Sequence, residues 1–131
     1  MNDVLSKVVL SPAGQKLSYR CAIVFYLVMV IAGSLPGARE DIGQLASGVV
    51  LHSLAYAILT MLLFVGISGN RTERAVKSVL TILVMGAGDE FVQSFFHYRT
   101  ASVTDCMFDA IAGSITSSML WRLWLGLSKP G

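Results

Sequence analysis

The sequence predicts an all-α fold: a polytopic membrane protein whose four transmembrane helices form a bundle with short loops. Three observations predict it. The chain is 54% hydrophobic and only 14% charged, where a soluble domain carries about 25% charged residues. Its 131 residues divide into four apolar runs, each close to the roughly 20 residues that a helix needs to cross a bilayer. The links between the runs carry Pro, Gly or charge. The mean hydropathy is +0.67, and the length fits one domain, residues 1–131.

Residues Met1 to Lys16 are mildly amphipathic, with Val4, Leu5, Val8 and Val9 at helical spacing. They read either as a short interfacial element or as a frayed terminus. They do not read as a signal peptide, because the first long apolar run starts late and Ala32-Gly33-Ser34 leads into a loop pattern. The expected spans are residues 19–35, 48–67, 75–96 and 103–127. Pro36-Gly37-Ala38-Arg39-Glu40-Asp41 divides the first pair, Gly69-Asn70-Arg71-Thr72-Glu73-Arg74 the second, and His97-Tyr98-Arg99-Thr100 the third. The third span is the least continuous, since Asp89 and Glu90 interrupt it.

Basic residues set the expected orientation. Four spans put the N-terminus, the middle link and the C-terminus on one side, with Lys7, Lys16, Arg20, Arg71, Arg74, Lys77, Arg122 and Lys129. The other side holds Arg39 and Arg99. Positive charge collects in cytoplasmic loops, so the expectation is a multi-pass protein of the cytoplasmic (inner) membrane with both termini cytoplasmic. No patch resembles a nucleic-acid surface, so no nucleic-acid partner is expected.

Four of the eight acidic residues, Asp89, Glu90, Asp105 and Asp109, fall within one short stretch with Arg99 among them. A carboxylate at the middle of a spanning helix costs about 2.5–3.5 kcal/mol on insertion scales. The topology places His52 and Tyr56, then Asp89, Glu90 and Gln93, then Arg99, then Asp105 and Asp109, all toward the outer face. His52 and Tyr56 are four apart, as are Asp89 and Gln93, and Asp105 and Asp109. Such pairs share a helix face. Three helices can therefore present polar pairs to one centre, with Gly113 and Ser117 letting the fourth span approach closely.

Each feature also has a plain reading. The acids and Arg99 could form a structural ion pair. His52 and Tyr56 could anchor a helix end at the interface. Arg99 could snorkel, or clamp a phosphate or carboxylate. Trp121, Arg122 and Trp124 read as an interfacial anchor. Cys21 and Cys106 are expected at opposite faces, too far apart for a disulfide.

The order His52…Tyr56, Asp89-Glu90-x-x-Gln93, Arg99-Thr100-Ala101-Ser102, Asp105-x-x-x-Asp109 with Gly113, preceded by Ser34-Leu35-Pro36, resembles the VanZ-like family of small bacterial membrane proteins. The likeness runs from about Tyr19 to Leu120, within a single VanZ-like membrane domain. That family often has an Asp-Lys pair before the His, where Gly48 and Val49 stand here, and often Asn in place of Asp109. The resemblance implies a link to glycopeptide (teicoplanin) antibiotic resistance. It does not supply a reaction.

Two functions fit these residues. One is an envelope enzyme on a membrane lipid or lipid-linked precursor. His52, Asp89, Glu90 and Asp105 would be catalytic, and Tyr56, Gln93, Arg99 and Asp109 would bind substrate. Asp89, Glu90, Asp105 and Asp109 could hold a divalent cation such as magnesium or act as general acid and base. The alternative is a non-catalytic accessory protein that shields or presents an envelope target. An ion or proton path is weaker, because the cytoplasmic half has no acidic continuation.

Overall fold

The computed structural model describes residues 3–34, 48–95 and 103–127, and these are all-helical, with no strand among them. A short helix, α1 (Asp3–Val9), precedes four long ones: α2 (Pro12–Ser34), α3 (Gly48–Gly66), α4 (Arg71–Gln93) and α5 (Val103–Leu127). At 1.5 Å per residue the four are about 28–38 Å long. By length and composition, α2 is the one described helix long and apolar enough to cross a membrane, with a hydropathy of 1.7 over its most apolar stretch. Val50–Gly66 is a shorter apolar helix. In α4, Asp89 and Glu90 break the apolar run, as the sequence reading expects.

Two helices begin earlier than hydropathy suggests, and local capping explains both. Ser11 accepts from the Gly14 backbone N–H at 3.1 Å, and Pro12 occupies the first helical position, where its missing N–H costs nothing. Helix α2 therefore starts at Pro12, seven residues before the apolar run. Asn70 and Glu73 form a reciprocal capping box, with Glu73 N–H donating to Asn70 Oδ1 at 2.9 Å and Asn70 N–H donating to Glu73 Oε2 at 3.1 Å. Gly69 precedes the cap at φ +128°, a backbone that favours glycine. Arg71 to Arg74, expected in a link, are thus the first turn of α4. The expected links at residues 36–41 and 97–100 lie outside the described residues.

Cross-helix contacts fix the directions. Ser18 donates to the Leu62 carbonyl at 2.8 Å, and a Cβ built on Gly66 would lie 2.6 Å from the Tyr19 nitrogen. Helices α2 and α3 are therefore antiparallel and touch backbone to backbone. Trp121 Nε1 donates to Thr72 Oγ1 at 3.1 Å, and Ser117 Oγ donates to the Ala75 carbonyl at 3.1 Å. Helix α5 is antiparallel to α4 and parallel to α3. Helices α3, α4 and α5 pack mutually, and α2 lies against α3.

The two ends of this bundle differ. One end carries Lys16, Arg20, Arg71, Arg74, Lys77 and Arg122. There Arg74, almost fully buried, donates from Nε to the Gly69 carbonyl at 2.9 Å and from Nη1 to the Phe64 and Val65 carbonyls at 3.2 and 2.9 Å. It caps the C-terminus of α3, whose last carbonyls have no intrahelical partner. Its guanidinium stacks 4.7 Å from the Trp124 ring, and Trp124 meets Phe64 edge-on. Trp121 and Trp124, expected as interface anchors, also stack on the arginines of α4. The other end carries His52, Asp89 and Asp109.

Inside and outside are distributed unusually. The buried set includes Thr60, Arg74, Ser78, Asp89, Gln93, Asp109 and Ser117. The exposed set includes Leu27, Val28, Ile31, Leu80, Val84, Ile115, Met119 and Leu123. Soluble monomers rarely expose apolar surface on this scale.

Candidate functional site

His52 sits in the first turns of α3, where its ring reaches both α4 and α5. Nδ1 lies 2.6 Å from Asp109 Oδ1, and Nε2 lies 3.4 Å from Asp89 Oδ2. Asp89 is 5% exposed and Asp109 1%, so neither is solvated by bulk water. An ionised carboxylate only accepts hydrogen bonds. Nδ1 is therefore the donor to Asp109, which orients the ring and sets Nε2 toward the second acid at a longer reach. One imidazole thus spans two carboxylates from two different helices.

Tyr56, one turn further along α3, is fully buried with its ring centroid 5.2 Å from that of His52. Its hydroxyl has no hydrogen-bond partner among the described residues, and neither has Oε1 of buried Gln93. Gln93 stands one turn beyond Asp89 on the same face of α4. Glu90, next to Asp89, is half-buried. Buried polar groups left unmatched are costly, so Tyr56 and Gln93 add polar capacity that the protein's own described side chains do not use.

The structure therefore brings together His52, Asp89, Asp109 and Tyr56, with Gln93 a turn away. Asp109, expected as a binding residue, is the closer carboxylate to the imidazole. Arg99 lies outside the described residues. Asp105 belongs to helix α5, but its side chain also lies outside them. Among the described residues no group of three His, Cys, Asp or Glu is placed to hold a metal ion. Asp89 and Asp109, two of the four acids considered for a cation, both face His52.

Other groups build this site without having drawn notice in the sequence. Tyr26 of α2 donates from its hydroxyl to the Met85 carbonyl at 2.8 Å, bracing α4 one turn before Asp89. Gly88 makes room for that hydroxyl, since a Cβ there would lie 2.9 Å from it. A Cβ on Gly86 would stand 3.6 Å from both Asp109 Oδ2 and Cys106 Sγ, so α5 comes close to α4 at this point. The signal was present as Gly86-Ala87-Gly88, two glycines inside a helix just before an acid. Further down the seam, Gly113 and Ser117 are buried, with Ser117 and Ser78 hydroxyls 3.3 Å apart. Cys21 and Cys106 are free thiols.

Fold and site together define a small helical protein with an acid–imidazole–acid network at the end of its bundle opposite the basic residues. The chain belongs to the VanZ/LLP1 family, which it matches over residues 15–125. All the residues of the network fall inside that match. Comparison with curated proteins and with solved structures gave no match.

Proposed function

We propose that this chain is a four-span protein of the bacterial cytoplasmic membrane with both termini in the cytoplasm. We further propose that its His52–Asp89–Asp109 network serves the polar head of an amphiphilic envelope lipid or lipid-linked precursor. Support for the membrane reading comes from the apolar exterior, the polar residues buried alongside the apolar core, and the basic residues gathered at one end, which the positive-inside rule assigns to the cytoplasm. The acid–imidazole network then faces the outer half of the bilayer, where envelope precursors present their heads.

The single observation that carries the functional reading is the imidazole held between Asp109 and Asp89. In that arrangement Asp109 orients the ring and fixes Nδ1–H, as a carboxylate does for a catalytic or metal-bound histidine. Nε2 is left to take or return a proton at a hydroxyl or water of the bound head group. Such general acid–base transfer contributes about 10²–10⁴-fold to a rate. Asp89, 3.4 Å away, yields its place to the incoming group or relays the proton onward. Tyr56 and Gln93 offer their unmatched polar atoms to the same head group. Glycopeptide (teicoplanin) susceptibility is the cellular readout that such a change in the envelope would move.

A second reading is favoured by the same ring. Both nitrogens of His52 face carboxylates, which suits a rigid binding site that shields or presents an envelope target without chemistry. His52→Asn separates the two, because Asn keeps hydrogen bonding but cannot carry the proton. Teicoplanin susceptibility and envelope-lipid composition should be measured in cells, alongside the thermal stability of the purified variant. Loss of the cellular effect with stability retained supports proton transfer. An unchanged cellular effect in a stable His52→Asn protein would leave the binder.

A further inference from the structure

A groove of about 460 Å³ runs along the outer seam of α4 and α5, away from the His52 network. Its walls are Val76, Val79 and Leu80 on α4 and Ser114 and Ser118 on α5, and it ends at Trp121 and Arg122. The volume lies within the roughly 300–1,000 Å³ of small-molecule sites. It is an apolar channel with its cationic mouth at the basic end of the bundle.

The charges at that mouth are one-sided. Arg122 is exposed at the lip. Arg71 lies 3.9 Å over the Trp121 ring, and its buried Nη1 has no hydrogen-bond partner among the described residues. Glu73, the described carboxylate of that end, is tied into the Asn70 cap. Two guanidiniums at this end of an apolar channel, Arg122 on its lip and Arg71 stacked on the Trp121 that closes it, match one chemistry, an anionic phosphate carrying an acyl chain.

A second copy of this chain is the competing occupant, since Ser114 and Ser118 form a small-residue ridge of the kind on which helices dock. Two copies in one membrane share their orientation, so a two-fold contact along this ridge sets Arg122 against the partner's Arg122. Like charges at close quarters disfavour that pairing, whereas an anionic lipid neutralises both arginines.

We propose that the α4–α5 groove holds an acyl chain of an anionic phospholipid whose phosphate is bound by Arg122 and Arg71. This rests on the membrane reading above and is independent of the chemistry at His52.

The chain has two tryptophans, so Trp124→Phe leaves Trp121 as the reporter in the groove. The full chain carrying that change is reconstituted in phosphatidylcholine vesicles containing chain-brominated phosphatidylglycerol or, separately, chain-brominated phosphatidylcholine. Flotation shows insertion, and quenching of Trp121 shows lipid in the groove. A basic group near an anionic head is worth about fivefold in association. Brominated phosphatidylglycerol should therefore quench at about fivefold lower mole fraction than brominated phosphatidylcholine. Arg122→Gln should remove most of that preference, and Ser118→Leu, which fills the groove, should weaken quenching by both lipids. Both positions are exposed, and circular dichroism checks that the variants stay helical. Equal quenching by the two lipids overturns the proposal, as does quenching that fails as protein density rises, which assigns the groove to a second copy. A protein that does not float overturns the membrane reading, and this proposal with it.

Discussion

His52 and Asp109 join α3 to α5 through a 2.6 Å contact at Nδ1, while the other nitrogen of the same ring stands 3.4 Å from Asp89 on α4. The two acids are therefore unequal partners. Asp109 is the anchor of the ring, and Asp89 is its looser neighbour.

Asp109→Asn should consequently cost more than Asp89→Asn. A hydrogen bond to a charged group is worth about 1.5–3 kcal/mol, and the Asp109 variant should lose about that much. The Asp89 variant should lose less than about 1 kcal/mol, since a 3.4 Å approach is a weak bond. Thermal unfolding of the purified proteins checks the order, and equal losses would contradict it.

Arg74 should be the most sensitive basic residue. Its buried guanidinium satisfies two carbonyls at the end of α3 and that of Gly69 in the following link. Arg74→Met should cost about 3 kcal/mol or more, from the bonds lost and the acceptors left bare. Arg74→Lys should recover less than half, because an ammonium cannot present the planar fork. Arg122→Gln, on the surface of the same end, should change stability little. Denaturation midpoints for the three variants make the comparison.

Gly66→Ala should destabilise by about 1–3 kcal/mol through overpacking, because the new methyl meets the Tyr19 backbone at 2.6 and 2.8 Å. Gly88→Ala meets only the tip of Tyr26, at 2.9 Å, and should cost less. Tyr26→Phe should relieve much of the Gly88→Ala penalty but none of the Gly66→Ala penalty. A double-mutant cycle on melting temperatures tests both statements.

The proposed orientation makes a direct prediction. A reporter fused after Gly131 should be cytoplasmic, and one inserted after Arg39 should be periplasmic. Paired phosphatase and fluorescent-protein fusions check this, and periplasmic phosphatase activity after Gly131 would reverse the side assigned to His52.

Much of this arrangement was legible in the residues themselves. The all-helical class followed from four apolar runs, and i, i+4 spacing put His52 with Tyr56 and Asp89 with Gln93 on single faces. Periodicity says which residues share a face but not which acid meets a given ring. The rank of Asp109 over Asp89 therefore needed the α3–α5 distance. Hydropathy placed the starts of α2 and α4 too late because it averages over side chains and ignores caps, although Ser11-Pro12 and Asn70-x-x-Glu73 were both readable. Arg74 counted as a loop charge for the same reason. The bracing of α4 by Tyr26 was hidden because it is a side chain bonded to a carbonyl across helices, which leaves no periodic trace. Arg99 and the Asp105 side chain lie outside the described residues, so their expected roles stand as proposals.

Arg74 also bears on how the protein is made. Helix α4 carries Arg71, Glu73, Arg74, Lys77, Asp89 and Glu90, a sequence that enters a bilayer reluctantly by itself. Only residues 67–70 separate it from α3, and its first-turn arginine binds the carbonyls on which α3 ends. On the proposed membrane reading, α3 and α4 therefore insert as a hairpin latched by Arg74 at its cytoplasmic base, and the apolar arm escorts the charged one. Helix α5 arrives last and brings Asp109. A nascent chain interrupted before α5 would carry His52 without its anchoring acid, so the network forms only once α5 has been made.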